Sequence, residues 1–149
     1  MPTPANQAAL EQARQDHIGR LLHRAARAFN VSALSKLHAR GHTALSLAHT
    51  NLLPHLEAHG SSIVKLAERA GMTKQAAGQL VAELEQHGYL MRRADPRDKR
   101  AVHLDFTPAG WQYLLDAQAI KREIAAEYRA KLGEATWDTL NAALSSLLE

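Results

Sequence analysis

The sequence predicts a mainly α-helical fold with one small β-hairpin, and three observations carry that expectation. Apolar residues, mostly Ala and Leu, recur at helical spacing through most of the 149 residues. Two of these helical runs meet at a tight turn, Ala70-Gly71-Met72-Thr73. Beyond them lies RRADPRDKRAVHLDF, Arg92 to Phe106. Pro96 interrupts any helix there, because its ring fixes φ and its nitrogen has no proton to donate.

The elements follow in order. A first helix is expected from about Asn6 to Phe29, with Leu10, Ala13, Leu21, Leu22, Ala25, Ala28 and Phe29 on one side. Arg14, Arg20, Arg24 and Arg27 lie between them and read as a solvated face. Ser32–His38 is a short helix closed by Gly41. Thr43 caps the next, which buries Leu45, Leu52, Leu53 and Leu56, is kinked by Pro54 and is stopped by Gly60. Ser61 and Ser62 are cap candidates for a helix carrying Ile63, Leu66, Ala67 and Ala70. Gly71 is its left-handed end. Thr73 caps a helix over Lys74–His87, and Gly88 ends it. Strands Tyr89–Arg93 and Ala101–Phe106 form the hairpin. Thr107-Pro108 opens a long helix to about Lys131, with Thr as cap and Pro at the first helical position. Gly133 breaks it, and a last helix carries Trp137, Leu140, Leu144 and Leu147.

Composition narrows the function. The net charge is only +3, so a diffuse polycation is excluded. The charge is uneven: residues 1–40 balance at +4 and residues 107–149 at −2, and Arg92–Arg100 alone holds five cations against two anions. A local positive field of this kind is what a site needs. With no cysteine, disulfides, thiolate zinc sites and cysteine redox sensing are excluded. The start, MPTPANQAALEQ, lacks the apolar core of a secretory signal, and no window approaches 18 apolar residues, so the expectation is a cytoplasmic protein without a membrane span. No GxSxG, P-loop or GxGxxG occurs. No enzyme, catalytic residue or cofactor is expected.

The second helix of the tight pair has a clear inside, Ala77, Leu80, Val81 and Leu84. Its outside is then Lys74, Gln75, Gly78, Gln79 and Ala82. Gln bonds bidentately to adenine in a major groove, and Lys reaches guanine or phosphate. Gly78 and Ala82 keep that surface low. Thr73 and the free N–H groups of the first turn suit a phosphate. The hairpin tip keeps Arg97, Lys99 and Arg100 in water, as contact with a nucleic-acid backbone or entry into a groove requires.

Together, GMTKQAAGQLVAELEQHGYLMRRADPRDKRAVHLDFTPAG resembles the MarR family of winged helix-turn-helix transcriptional regulators. Asp95-Pro96-Arg97-Asp98-Lys99-Arg100 is similar to the family's wing signature, Asp-x-Arg-x-x-Arg. The Leu104-x-Phe-Thr-Pro-x-Gly that follows is similar to its exit into the long dimerisation helix. The resemblance implies a homodimer on a pseudo-palindromic double-stranded DNA operator. In it, residues 1–42 and 107–149 supply the dimerisation helices, and residues 43–106 form the DNA-binding lobe of what is one structural domain overall. It also implies that Arg97 enters the minor groove while Asp95 and Arg100 brace the wing. Small aromatic or phenolic effectors bind many family members between the dimer helices and the DNA lobe. The expected function is therefore a DNA-binding transcriptional regulator, a repressor released by a small-molecule effector.

The DNA-contacting candidates are Thr73, Lys74, Gln75 and Gln79 in the major groove and Arg97 in the minor groove. Ser61, Ser62, Arg93, Lys99 and Arg100 are the candidates for holding phosphates. Trp111 and Tyr113 read first as core packing and second as an effector-pocket lining. Nine histidines are many for this length, and His38/His42 and His55/His59 are each four apart. They are the metal candidates of the alternative function, a metal-responsive sensor. Surface and capping roles are the competing use of these side chains.

Overall fold

The computed structural model describes residues 3–15, 17–95, 97, 98, 100 and 102–149. Among the described residues, seven α-helices and a small sheet run in the order α1 (Pro4–Gln15), α2 (Ile18–Ala39), α3 (Leu47–Leu52), β1 (Ser61–Ser62), α4 (Ile63–Ala70), α5 (Lys74–Gln86), β2 (Leu90–Ala94), β3 (Val102–Phe106), α6 (Pro108–Leu132) and α7 (Glu134–Leu148). A 3-10 turn, Leu53–His55, follows α3 with Pro54 in its first turn, where a missing N–H costs nothing. The mainly helical expectation holds.

Three boundaries differ from the sequence-based expectation. The break near the N-terminus falls not at Phe29 but at His17, whose Nδ1 accepts from the Arg20 N–H and caps α2. Phe29 to His38 is unbroken helix, so the separate Ser32–His38 helix does not exist. Tertiary contacts override the weak propensity of Asn30-Val31-Ser32: Phe29 packs edge-on against Tyr128 at 6.4 Å, and Lys36 bonds Glu127 at 2.7 Å. Next, Ser46 rather than Thr43 caps α3, through a capping box with His49. Finally, the sheet has three strands in the order β1-β3-β2, all antiparallel. The two-residue β1 pairs Ser61 with Leu104 and Ser62 with His103.

The core lies between α2, α6 and the compact lobe. Leu52, Leu66, Val81, Leu84, Leu104, Ile120 and Ile124 are almost wholly buried within it. Along β3 the alternation is regular. Leu104 and Phe106 point into the core, and His103 and Asp105 lie on the other face, half-covered. Neither α7 nor the described side chains of α1 contain a buried residue. Among the described residues no helix is long and apolar enough to cross a membrane.

Candidate nucleic-acid interface

The helix pair forms as its sequence dictates. Gly71 takes φ 64° and ψ 31°, and Met72 N–H donates to the Ala67 carbonyl at 2.9 Å. Thr73 Oγ1 then accepts from Ala76 N–H at 3.1 Å. Ala77, Val81 and Leu84 face the core, while Leu80 is only half-buried. Lys74, Gln75, Gln79 and Ala82 are exposed in one band, and a Cβ at Gly78 would meet nothing. Glu83 and Glu85, the acids of this helix, are tied aside by His49 and Arg92. No carboxylate of α5 therefore competes for the band.

Cap geometry separates the two serines. Ser62 Oγ accepts from Lys65 N–H at 3.3 Å and caps α4. Ser61 is 4% exposed in β1. Its hydroxyl donates to the Ser62 carbonyl at 3.4 Å, so little of Ser61 is presented to solvent beside Ser62.

At the hairpin tip, Asp95 Oδ1 accepts from Arg97 N–H at 2.8 Å, and Asp98 Oδ1 from Arg100 N–H at 2.9 Å. These are two successive Asx turns, in which short carboxylates stand in for backbone acceptors. Asp95 thus meets the backbone of the tip. Among the described residues no ion pair joins Asp95 to Arg100, and the second brace is Asp98, which the sequence motif does not single out. Arg97 and Arg100 are exposed. Lys99 lies outside the described residues. Arg93 stays half-exposed while its Nε donates to Asp105 Oδ2 at 2.6 Å. An open cleft of about 610 Å³ runs between the wing and the start of α4, with Ser62, Lys65, Arg93, Arg97 and His103 on its walls.

Two polar clusters were not expected: one ties the lobe to α6, and the other ties α3 to α5 within it. His42, 7% exposed, sits between Tyr89 Oη and Asp116 Oδ2, each at 2.9 Å. The carboxylate accepts from Nε2–H, which leaves Nδ1 to accept from the tyrosine hydroxyl. The His42 bond holds the Asp116 carboxyl below the usual carboxylate range. His49, 3% exposed, donates from Nε2 to Glu83 at 2.8 Å and accepts at Nδ1 from Ser46 N–H at 3.1 Å. Residues 40–46 join α2 to α3; His42 pins this connector to α6, and Ser46 at its far end is held by His49.

The two aromatic candidates part company. Tyr113 is buried beside His42 and Tyr89, and burial pushes its hydroxyl up to about 12. It borders a cavity of about 80 Å³ shared with Phe29, Ala33, Leu37 and Ile120, between α2 and α6. Trp111 is 47% exposed against Phe106 and lies off that cavity. The metal candidates do not converge. His38 donates to the Leu45 carbonyl, His42 is bonded as above, His55 is exposed, and His59 is exposed beside Glu57. Among the described residues, no three His, Cys, Asp or Glu side chains come together to hold a metal.

Two helices crossing at a glycine turn, flanked by a three-stranded sheet with a basic hairpin, define a winged helix-turn-helix protein. Residues 45–101 match the MarR family model. MarR from E. coli in its apo form superposes with a TM-score of 0.75 at 20% identity, over 89% of this chain and 97% of that one. A probable transcriptional regulator from Pseudomonas aeruginosa gives 0.68 at 25% identity, over 89% and 98%. A transcriptional regulator from Thermotoga maritima gives 0.62 at 23% identity, over 87% and 89%. No curated protein matches. Residues 45–101 thus match the MarR family model, and the chain as a whole has the winged helix-turn-helix fold of these structures.

Proposed function

We propose that this chain is a sequence-specific DNA-binding transcriptional regulator that acts as a homodimer in the cytoplasm. The observation that carries this reading is the exposed, acid-free band of α5 set beside the basic tip of the wing. Thr73, Lys74, Gln75 and Gln79 read the major groove. Arg97 enters the minor groove, where a narrow width concentrates negative potential. Ser62, Arg93, Lys99 and Arg100 hold phosphates. Residues 43–106 form the DNA-binding lobe, and residues 1–42 and 107–149 pair the two copies. Leu140, Leu144, Leu147 and Leu148 of α7 are exposed in the single protomer, as an interface helix requires. The protein acts as a repressor, and a small aromatic or phenolic effector releases it. The cavity beside Tyr113, at the meeting of the long helices and the lobe, supports that release.

The test is binding to a duplex selected from a random-sequence pool on the wild-type chain. Affinity falls steeply with salt through counterion release. Arg97→Ala weakens binding by about tenfold or more and makes the salt slope shallower by about 1. Unchanged affinity of Arg97→Ala would refute the wing contact, and failure to recover any duplex would refute the function.

A further inference from the structure

The wing leaves the lobe at its root, where β2 follows α5 and β3 enters α6. Its only lateral backbone attachment among the described residues is the two-residue pairing with β1. A polar clasp reinforces that short ladder. On the outer face of β3, His103 Nε2 donates to the His59 carbonyl at 3.1 Å and lies 3.4 Å from Asp105 Oδ1. Asp105 Oδ2 accepts from Arg93 Nε at 2.6 Å, and Arg93 stands opposite His103 across the ladder. On the other side, Glu57 accepts from Arg69 of α4 at 2.5 Å. The residue between these groups is Gly60. A Cβ there would collide with the Leu104 carbonyl and with the side chains of His103 and Asp105. The turn is therefore seated directly on the clasp.

We propose that His103 is a positioning residue for DNA binding: through the His59 carbonyl it fixes the wing against the helix-turn-helix, and so sets where Arg97 reaches. This rests on the reading that Arg97 contacts DNA. The location favours it. The pairing of Ser62 with His103 is the outermost rung that β1 provides, and the hairpin beyond it, from Arg93–His103 through Ala94–Val102 to the tip, has no further lateral support from β1. Loss of the His103 bond frees that outer part to swing, which spreads Arg97 over positions that miss the groove. His103 itself touches no DNA in this scheme.

The experiment is a double-mutant cycle on the selected duplex, with variants matched in folded content by circular dichroism. His103→Ala and His103→Asn, which lacks the reach, each weaken binding about three- to tenfold, the worth of one hydrogen bond. His103→Gln, which can donate to the same carbonyl, restores most of it. In the Arg97→Ala background the His103 substitutions cost clearly less, because only the phosphate contacts of the wing remain to be misplaced. Additive losses in that background, or a His103→Gln as weak as His103→Ala, overturn the positioning role. If Arg97→Ala alone binds like wild type, the underlying wing contact fails instead, and the two failures are distinct.

Discussion

Replacing Gly60 by alanine probes how closely the turn before β1 is fitted to the wing. Gly60 has φ 82°, and an added Cβ would meet the Leu104 carbonyl and two side chains. The left-handed backbone alone costs an L-residue about 1–2 kcal/mol. The collision with backbone then forces β1 away from β3. The register joins only two residues, so about two hydrogen bonds at about 1 kcal/mol each are broken or weakened. The sum is about 3–4 kcal/mol, a fall of on the order of 10 °C in melting temperature for a chain of this size. Gly71→Ala is the control. Its φ is also positive, at 64°, but a Cβ there meets nothing, so only the backbone cost of about 1–2 kcal/mol applies. Thermal melts at equal protein concentration, read by circular dichroism, compare the two. Equal losses for Gly60→Ala and Gly71→Ala would refute the close-approach reasoning, whatever the absolute values.

Two further predictions follow from the long helices. Tyr113 has its hydroxyl raised by burial from about 10 in the unfolded chain to about 12. Its contribution is therefore fully present below pH about 10 and is lost as pH rises toward 12, on the order of 2–3 kcal/mol. Denaturant unfolding of Tyr113→Phe across that range should lack this loss, and a curve parallel to wild type would refute it. Leu144→Asp places a charge on the apolar face of α7 and should raise the dissociation constant of the proposed dimer about a thousandfold or more, since that dimer would bury two copies of this exposed leucine. Sedimentation that finds the variant as dimeric as wild type would remove α7 from the interface.

Local rules made much of this molecule legible. Gly71, Thr73 and the Thr107-Pro108 start each act within a few residues, so cap preference and backbone freedom identify them directly. The exposed band of α5 follows from helical spacing once the apolar side is known. The misses have a different physical origin. α2 runs through Asn30-Val31-Ser32 because residues about 90 positions away hold it, as in the Lys36–Glu127 bond. β1 has two serines and no alternation to reveal it. His42 reads as a surface or metal histidine and His49 carries no signal in the sequence, since their partners Asp116 and Glu83 lie 74 and 34 residues further on. In the wing, the Asp-x-Arg-x-x-Arg pattern located the tip, and only the folded hairpin distinguishes Asp98 from Arg100 as the second brace.

The unbroken α2 has a mechanical consequence. Its 22 residues make a rod about 33 Å long. One end is solvent-exposed, and the other carries the buried Leu37 and leads straight into the pinned connector. A stiff rod of that length works as a lever: a tilt of about 5° at the upper end displaces the lower end by about 3 Å, close to the roughly 3.4 Å rise between stacked bases. A hinge at Phe29 would have absorbed that motion before it reached the lobe. Without one, a small rotation at the N-terminal end of α2 passes undiminished to the connector that leads into α3.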